Sequence, residues 1–299
     1  MEKIKLTYFT PTYNREKLLP NLYKSLLAQS NKNFIWLIVD DGSKDNTETL
    51  VNGWKKENKI KIEYVKKENG GKHTAIELSN QICTTEFITC VDSDDTLTPD
   101  ATKILYSKFN LCSGDDIVGL LGPKTVVNAK YKIDWQIENE NIYFYDLKKI
   151  LGVVPETTLV FKTEIAKKFH FPIFEDEKFV TESVYYNQFF YDYKFATFKE
   201  EVYLAEFQDD GYTKMGMGLF EKNPKGYAYA LKQNACLAIK QKISFKEKVK
   251  KIMAYYGWKS LLKTPKEIAN EYNIPCFYKF IGWLTTPLSN VIIKRRLKK

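Results

Sequence analysis

Acidic residues one position apart at the end of an apolar run are the first feature with chemical content. Asp92-Ser93-Asp94-Asp95 follows Glu86-Phe87-Ile88-Thr89-Cys90-Val91, which reads as a buried strand running into a turn. Side chains at i and i+2 of extended chain project the same way. Asp92 and Asp94 can therefore face one hard cation together, along with the phosphates it carries. A solvated acidic turn capping a helix near Pro99 accounts for the same letters.

Three further polar clusters each end an apolar strand pattern. Thr10-Pro11-Thr12-Tyr13-Asn14-Arg15 follows a strand over 4–9, Asp40-Asp41-Gly42-Ser43 a strand over 34–39, and Asn69-Gly70-Gly71-Lys72 a strand over 60–65. With the strand over 87–91, four loops converge on one edge. Ordinary turn chemistry explains each glycine singly but leaves the coincidence unexplained.

The elements that must position these loops alternate. Leu18, Leu19, Leu22, Leu26 and Leu27 recur at helical spacing within 16–29; a helix over 45–57 is capped by Asp45 or Asn46, and another covers 73–81. Alternation of this kind predicts an α/β fold with a mostly parallel sheet flanked by helices and ligands at the C-terminal strand ends. Beyond about 120 the pattern loosens. Strands are expected over 117–121 and 153–161, a short helix over 163–169, an aromatic helix over 183–191 and a strand and turn over 205–213. From 216 the chain reads as Lys-rich helices, a C-terminal helical extension to a first domain over 1–215. Its last helix, 277–299, combines Phe280, Trp283, Leu284 and Leu288 with a basic end and is expected to be interrupted at Pro287. Lipid and core are both consistent with that pattern.

Bulk composition narrows the function classes. The 299 residues suffice for one large domain with an appendage or for two domains, and 44% hydrophobic content fits an ordinary core. A formal charge of +9 suggests an anionic partner. Dispersed lysines without a nucleic-acid motif argue against nucleic acid. Five cysteines without a C-x-x-C pair, and only two histidines, give no basis for zinc or a disulfide framework. No apolar leader opens the chain and no run reaches the roughly 18 residues of a membrane span. The expected location is cytoplasmic, with the inner face of the plasma membrane left open by the last helix.

The ordered set TPTYNR, IVDDGSKD, NGGKHTAI and VDSDD resembles a family 2 glycosyltransferase of the GT-A nucleotide-sugar-binding fold. FPIFEDEKFVTES and EFQDDGYT extend the likeness to about residue 215, toward the bacterial surface-polysaccharide type. The resemblance implies that Thr10, Pro11, Tyr13 and Arg15 contact the nucleotide, that Asp40 accepts the uracil N–H, which cytosine lacks, and that Lys72 lies beside the diphosphate. It implies Asp94 as ligand of Mg²⁺ or Mn²⁺ and Asp92 near the ribose or the metal's waters, with Asp95 structural. It also implies inverting transfer from a UDP-sugar to a glycan or lipid-linked acceptor.

By motif position Glu182 is the general base, with Asp176 and Glu177 as alternatives. Many relatives carry Glu-Asp where this chain has Glu182-Ser183, and a helix-start carboxylate is the bland account of Glu182. Asp209, Asp210 and Thr213 resemble a closing loop, and His73 is either a phosphate contact or a surface histidine. Two other classes remain: a sugar-nucleotide nucleotidyltransferase, against which the glycine-free TPTYNR loop speaks, and a non-catalytic nucleotide-sugar-binding subunit.

Overall fold

The computed structural model describes residues 3–127, 134–206, 212–262, 268 and 271–297. It divides into two compact units. One comprises residues 1–170 and 186–209, the other 171–185 and 210–299, so the chain enters the second unit twice.

The first unit contains β1 (Leu6–Thr12), α1 (Leu19–Leu27), β2 (Phe34–Asp40), α2 (Thr47–Glu57), β3 (Lys61–Lys66), α3 (Lys72–Ile82), β4 (Phe87–Cys90), β5 (Thr96–Leu97) and α4 (Ala101–Lys108). There follow β6 (Ile117–Val126), β7 (Asn141–Tyr143), α5 (Leu147–Leu151), β8 (Thr157–Lys162) and α6 (Thr163–Ala166). α7 (Ser183–Tyr186) leads back to β9 (Lys194–Thr197) and β10 (Tyr203–Ala205). The sheet order is β3-β2-β1-β4-β8-β6-β10-β5, with β9 pairing β6 and β7. Pairing is parallel across β3-β2-β1-β4, where strands alternate with helices. It turns antiparallel on both sides of β8.

Burial explains why these segments fold so. β1 and β2 are enclosed along their whole length, as continuous apolar runs in a doubly covered parallel sheet must be. On one face Tyr23 and Trp54 stack with centroids 4.3 Å apart beside Trp36, fixing α1 and α2 over β2. α1 starts three residues later than its leucine pattern suggests. Leu18 and Leu19 N–H groups turn back to the Arg15 carbonyl, and Pro20 occupies the first turn, where a missing N–H costs nothing.

The first strand runs further than expected, taking in Thr10, Pro11 and Thr12. Phe9 accepts from Val91 on the β4 side, so Pro11, two residues on, faces the same side beyond the last β4 partner. Its absent N–H therefore breaks no ladder bond. The strand expected over 153–161 forms only from Thr157, leaving Val153 and Val154 exposed. The aromatic helix expected over 183–191 stops at Tyr186, and Phe189 and Phe190, beyond its end, are both buried.

The second unit contains α8 (Tyr212–Lys222), α9 (Pro224–Lys240), α10 (Phe245–Leu261) and α11 (Cys276–Leu297). Ala235, Cys236, Ile252, Tyr255 and Ile274 form its core. Ser244 caps α10, its hydroxyl accepting from the Glu247 N–H at 3.2 Å. α10 and α11 lie close: a Cβ on Gly282 would come within 2.3 Å of the Tyr256 ring. Pro287 does not interrupt α11. Hydroxyls in the turn before it, Thr285 and Thr286, donate to the Ile281 and Gly282 carbonyls at 2.8 and 2.7 Å and support the helix there.

Candidate functional site

The strand-end loops lock one another. Asn14 adopts φ 54°, a left-handed conformation that asparagine tolerates. Its N–H donates to Ser43 Oγ and its Oδ1 accepts from the Lys44 N–H, both at 2.8 Å. Asp41 is buried and joins the second loop to the third, accepting from Lys67 Nζ at 2.7 Å, Gly70 N–H at 2.9 Å and Gly71 N–H at 2.7 Å. Gly42 turns at φ 82° with Asn69 and Lys67 backbone against it, leaving no room for a side chain. Lys72 is thereby set at the first residue of α3.

Asp92 receives that lysine: Lys72 Nζ lies 2.7 Å from Oδ1, and Lys124 Nζ, from β6, lies 3.9 Å from Oδ2. Burial alone would raise the Asp92 pKa, but the two ammonium groups reverse this and hold it at about 2. Asp95 is enclosed. It accepts from Tyr203 Oη at 2.8 Å, the Glu206 N–H at 3.0 Å and Lys124 at 3.1 Å, which makes it the structural member of the run. Asp94 differs from both. Burial and the neighbouring Asp92 and Asp95 carboxylates push its pKa upward, with Arg15 opposing. A carboxyl in that setting gains from an added cation.

The donor set suits Mg²⁺ or Mn²⁺. Its side chains are hard oxygens, and among the described residues no three acidic, histidine or cysteine groups form a ready cage. A metal here would take one or two carboxylates, Asp94 foremost, and complete its shell from diphosphate and water.

At the end of β2, Asp40 is fully buried, accepting from the Ser43 N–H at 2.7 Å and from Tyr64 Oη at 2.5 Å. Thr10 is enclosed as well, its hydroxyl accepting from Trp36 Nε1 at 3.0 Å. Tyr13 is exposed, Arg15 half-buried and Pro11 buried. Thr12 sits beside Asp40 in the β1–β2 register, and its enclosed Oγ1 has no hydrogen-bond partner. His73 is not on the surface: burial lowers its pKa to about 4.

The acidic segment 175–182 belongs to the second unit. Glu177 accepts from the Lys225 and Gly226 N–H groups at 2.7 and 2.8 Å, capping α9, and Lys225 Nζ pairs with Asp176. Glu182 is half-buried just before α7. Asp209 and Asp210 lie outside the described residues, as does the side chain of Thr213.

Sequence reasoning missed Lys124, Tyr203, Tyr64 and Thr12. A lysine ending the apolar pattern of β6 was a usable signal for Lys124. Tyr203 had none, since it meets Asp95 across 108 positions.

A family model described as "Glycosyl transferase family 2" matches residues 7–168, over half of the chain. The chain belongs to glycosyl transferase family 2. Among its relatives in that family is "Glycosyltransferase GlyA" of Streptococcus pneumoniae serotype 4, 31% identical over 115 residues, 38% of this chain and 16% of that protein. Another is "GalNAc(5)-diNAcBac-PP-undecaprenol beta-1,3-glucosyltransferase" of Campylobacter jejuni, 32% identical over 111 residues, 36% of this chain and 35% of that protein. The match thus spans well under two thirds of either relative.

Solved structures share the fold. TarS 1–349 of S. aureus in complex with UDP-GlcNAc superposes with a TM-score of 0.62 at 19% identity, covering 85% of this chain and 72% of that one. The mannosyltransferase PcManGT of Pyrobaculum calidifontis in complex with GDP-Man and Mn²⁺ gives 0.51 at 16% identity, covering 97% and 76%. At such identities the likeness is one of fold, and the fold is the GT-A arrangement expected from the sequence.

Proposed function

We propose that this family 2 enzyme is an inverting, metal-dependent transferase that moves a sugar from a UDP-sugar to a glycan acceptor in bacterial surface-polysaccharide synthesis. The observation that carries the proposal is the meeting of Lys72, Asp92 and Asp94 at one sheet edge, next to the turn that holds Asp40. Relatives support it: one is named for action on an undecaprenol-linked glycan, and a structural neighbour binds UDP-GlcNAc.

In this reading Pro11, Tyr13 and Arg15 line the nucleotide, and Thr10 braces them from behind through Trp36. Asp40 takes the uracil N–H as Tyr64 shares or yields Oδ2, and the unpartnered Thr12 hydroxyl lies next to it. A bound Mg²⁺ or Mn²⁺, held by Asp94, supplies positive charge to the departing diphosphate. Lys72 turns from Asp92 to that diphosphate and offsets its growing charge. Asp92 then faces the ribose or the metal's waters. Glu182 takes the acceptor hydroxyl's proton as the hydroxyl attacks the anomeric carbon opposite the leaving UDP. Motif position is what favours Glu182 over Asp176 and Glu177, which engage the first turn of α9.

The sequence-based division assigns transfer to 1–215. It leaves 216–299 for acceptor, oligomer or peripheral membrane contacts, the last through 277–299 at the inner face of the plasma membrane. A panel of nucleotide sugars incubated with the chain and Mn²⁺ tests the donor class: slow release of UDP from one UDP-sugar is expected. Pyrophosphate release from UTP and a sugar phosphate would overturn the proposal, and UDP binding without hydrolysis or transfer would point to a non-catalytic subunit.

A further inference from the structure

α11 is built inside out. Its buried residues are Gly282, Ser289 and a single large apolar one, Ile293, and Thr285 and Thr286 are half-buried. Phe277, Phe280, Trp283, Leu284, Leu288 and Val291 point outward, each between 48% and 69% exposed. Their spacing of three, four and seven residues puts them on one stripe. Phe245, 56% exposed at the start of α10, lies against Phe277 and widens the stripe at one end. Scattered exposed apolar residues are ordinary, but a continuous stripe of this size on a helix that buries its small residues marks a surface meant to be covered.

Charge identifies the cover. α11 carries Lys279, Lys294, Arg295 and Arg296 and no acidic residue at all. The three at its C-terminal end are exposed beside the apolar stripe. Trp and Phe on one side with Lys and Arg at the margins suit the boundary between acyl chains and phosphate headgroups, where aromatic rings sit at the interface and long basic side chains reach the anions. No helix among the described residues is long and apolar enough to cross a membrane. A helix of 22 residues, about 33 Å at ~1.5 Å per residue, instead lies flat.

We propose that the outward stripe of α11 inserts into the surface of an anionic bilayer, with Trp283, Leu284 and Leu288 entering the acyl boundary and Lys294, Arg295 and Arg296 pairing with lipid phosphates. This adds a lipid class and named inserting side chains to the membrane contact of the proposed function. Because vesicle binding is read without any substrate, its failure is separable from failure of the transferase reading.

Trp283 provides the probe. The other four tryptophans, Trp36, Trp54, Trp135 and Trp258, are at most 8% exposed, so lipid-dependent change in indole emission reports Trp283 at 69%. The full chain is mixed with phosphatidylcholine vesicles, with and without phosphatidylglycerol, at low and high salt. Expected are flotation with the phosphatidylglycerol vesicles, a blue shift in emission that Trp283→Leu removes, and weakening by salt. The double substitution Leu284→Ser and Leu288→Ser should weaken binding about a hundredfold, from the apolar surface withheld from lipid. Both positions are exposed, so the thermal melt should not move. Absence of flotation with phosphatidylglycerol vesicles at low salt would overturn the proposal. So would a concentration-dependent dimer abolished by the double substitution while lipid leaves the emission unchanged, since a second copy would then be the cover.

Discussion

Asp94 and Glu177 make an instructive pair, one from each unit of the molecule. Burial is the leading cause of an upward pKa shift in both. Their neighbours differ in sign. Around Glu177 the chain supplies backbone N–H groups from Lys225 and Gly226, so the carboxylate is satisfied and caps a helix. Around Asp94 it supplies two more carboxylates, so burial is compounded by repulsion. Burial thus has two outcomes: one acidic residue completes a fold, and the other leaves a demand for positive charge that the protein meets only in part through Arg15. Perturbed carboxyls mark functional sites when the fold has not already answered them.

The comparison can be broken by substitution. The largest effect belongs to Glu182, the carboxylate of the second acidic segment that motif position assigns as base. Glu182→Gln should lower transfer by about a hundredfold to ten-thousandfold while UDP affinity stays at its wild-type value. Unchanged turnover would return the base to another carboxylate. Glu177→Ala strands one buried and one half-buried N–H group and should cost about 1–3 kcal/mol in urea unfolding, again with UDP binding intact. A variant that melts normally yet fails in catalysis would show that Glu177 is more than a cap.

The smallest effect concerns His73, another buried titratable group, at the second residue of α3. Its folded pKa, about 4, lies below the ordinary 6.5, so the unfolded chain takes up the proton first. The His73 contribution to stability is therefore fully present above pH 6.5 and fades as pH falls toward 4. His73→Gln should flatten that part of a stability-against-pH curve. An unaltered curve would mean the imidazole is not held neutral.

The first half of the fold was legible because β1 to β3 and α1 to α3 are long, periodic and separated by glycine and asparagine turns. β5, β7 and β10 have two or three residues each, too few for a period to register. The candidate site was legible as four loops at one sheet edge, yet its wiring was not. Lys124 and Tyr203 reach the acidic run from strands far along the chain, and the enclosure of Asp40 beneath Tyr64 depends on the β2–β3 register. The outward stripe of α11 was visible as a pattern, but which side faced the protein depended on where Gly282 and Ser289 met α10.

The central claim is that Asp94 awaits a cation which the nucleotide brings together with Lys72 and Asp92. Titration calorimetry of UDP, with and without Mn²⁺, against the wild-type chain and Asp94→Ala tests it most directly. The account predicts UDP binding strengthened by Mn²⁺ in the wild type, and in Asp94→Ala a weaker, metal-indifferent binding. Equal affinity with and without Mn²⁺ in the wild type, or an undiminished Mn²⁺ effect in Asp94→Ala, would contradict it.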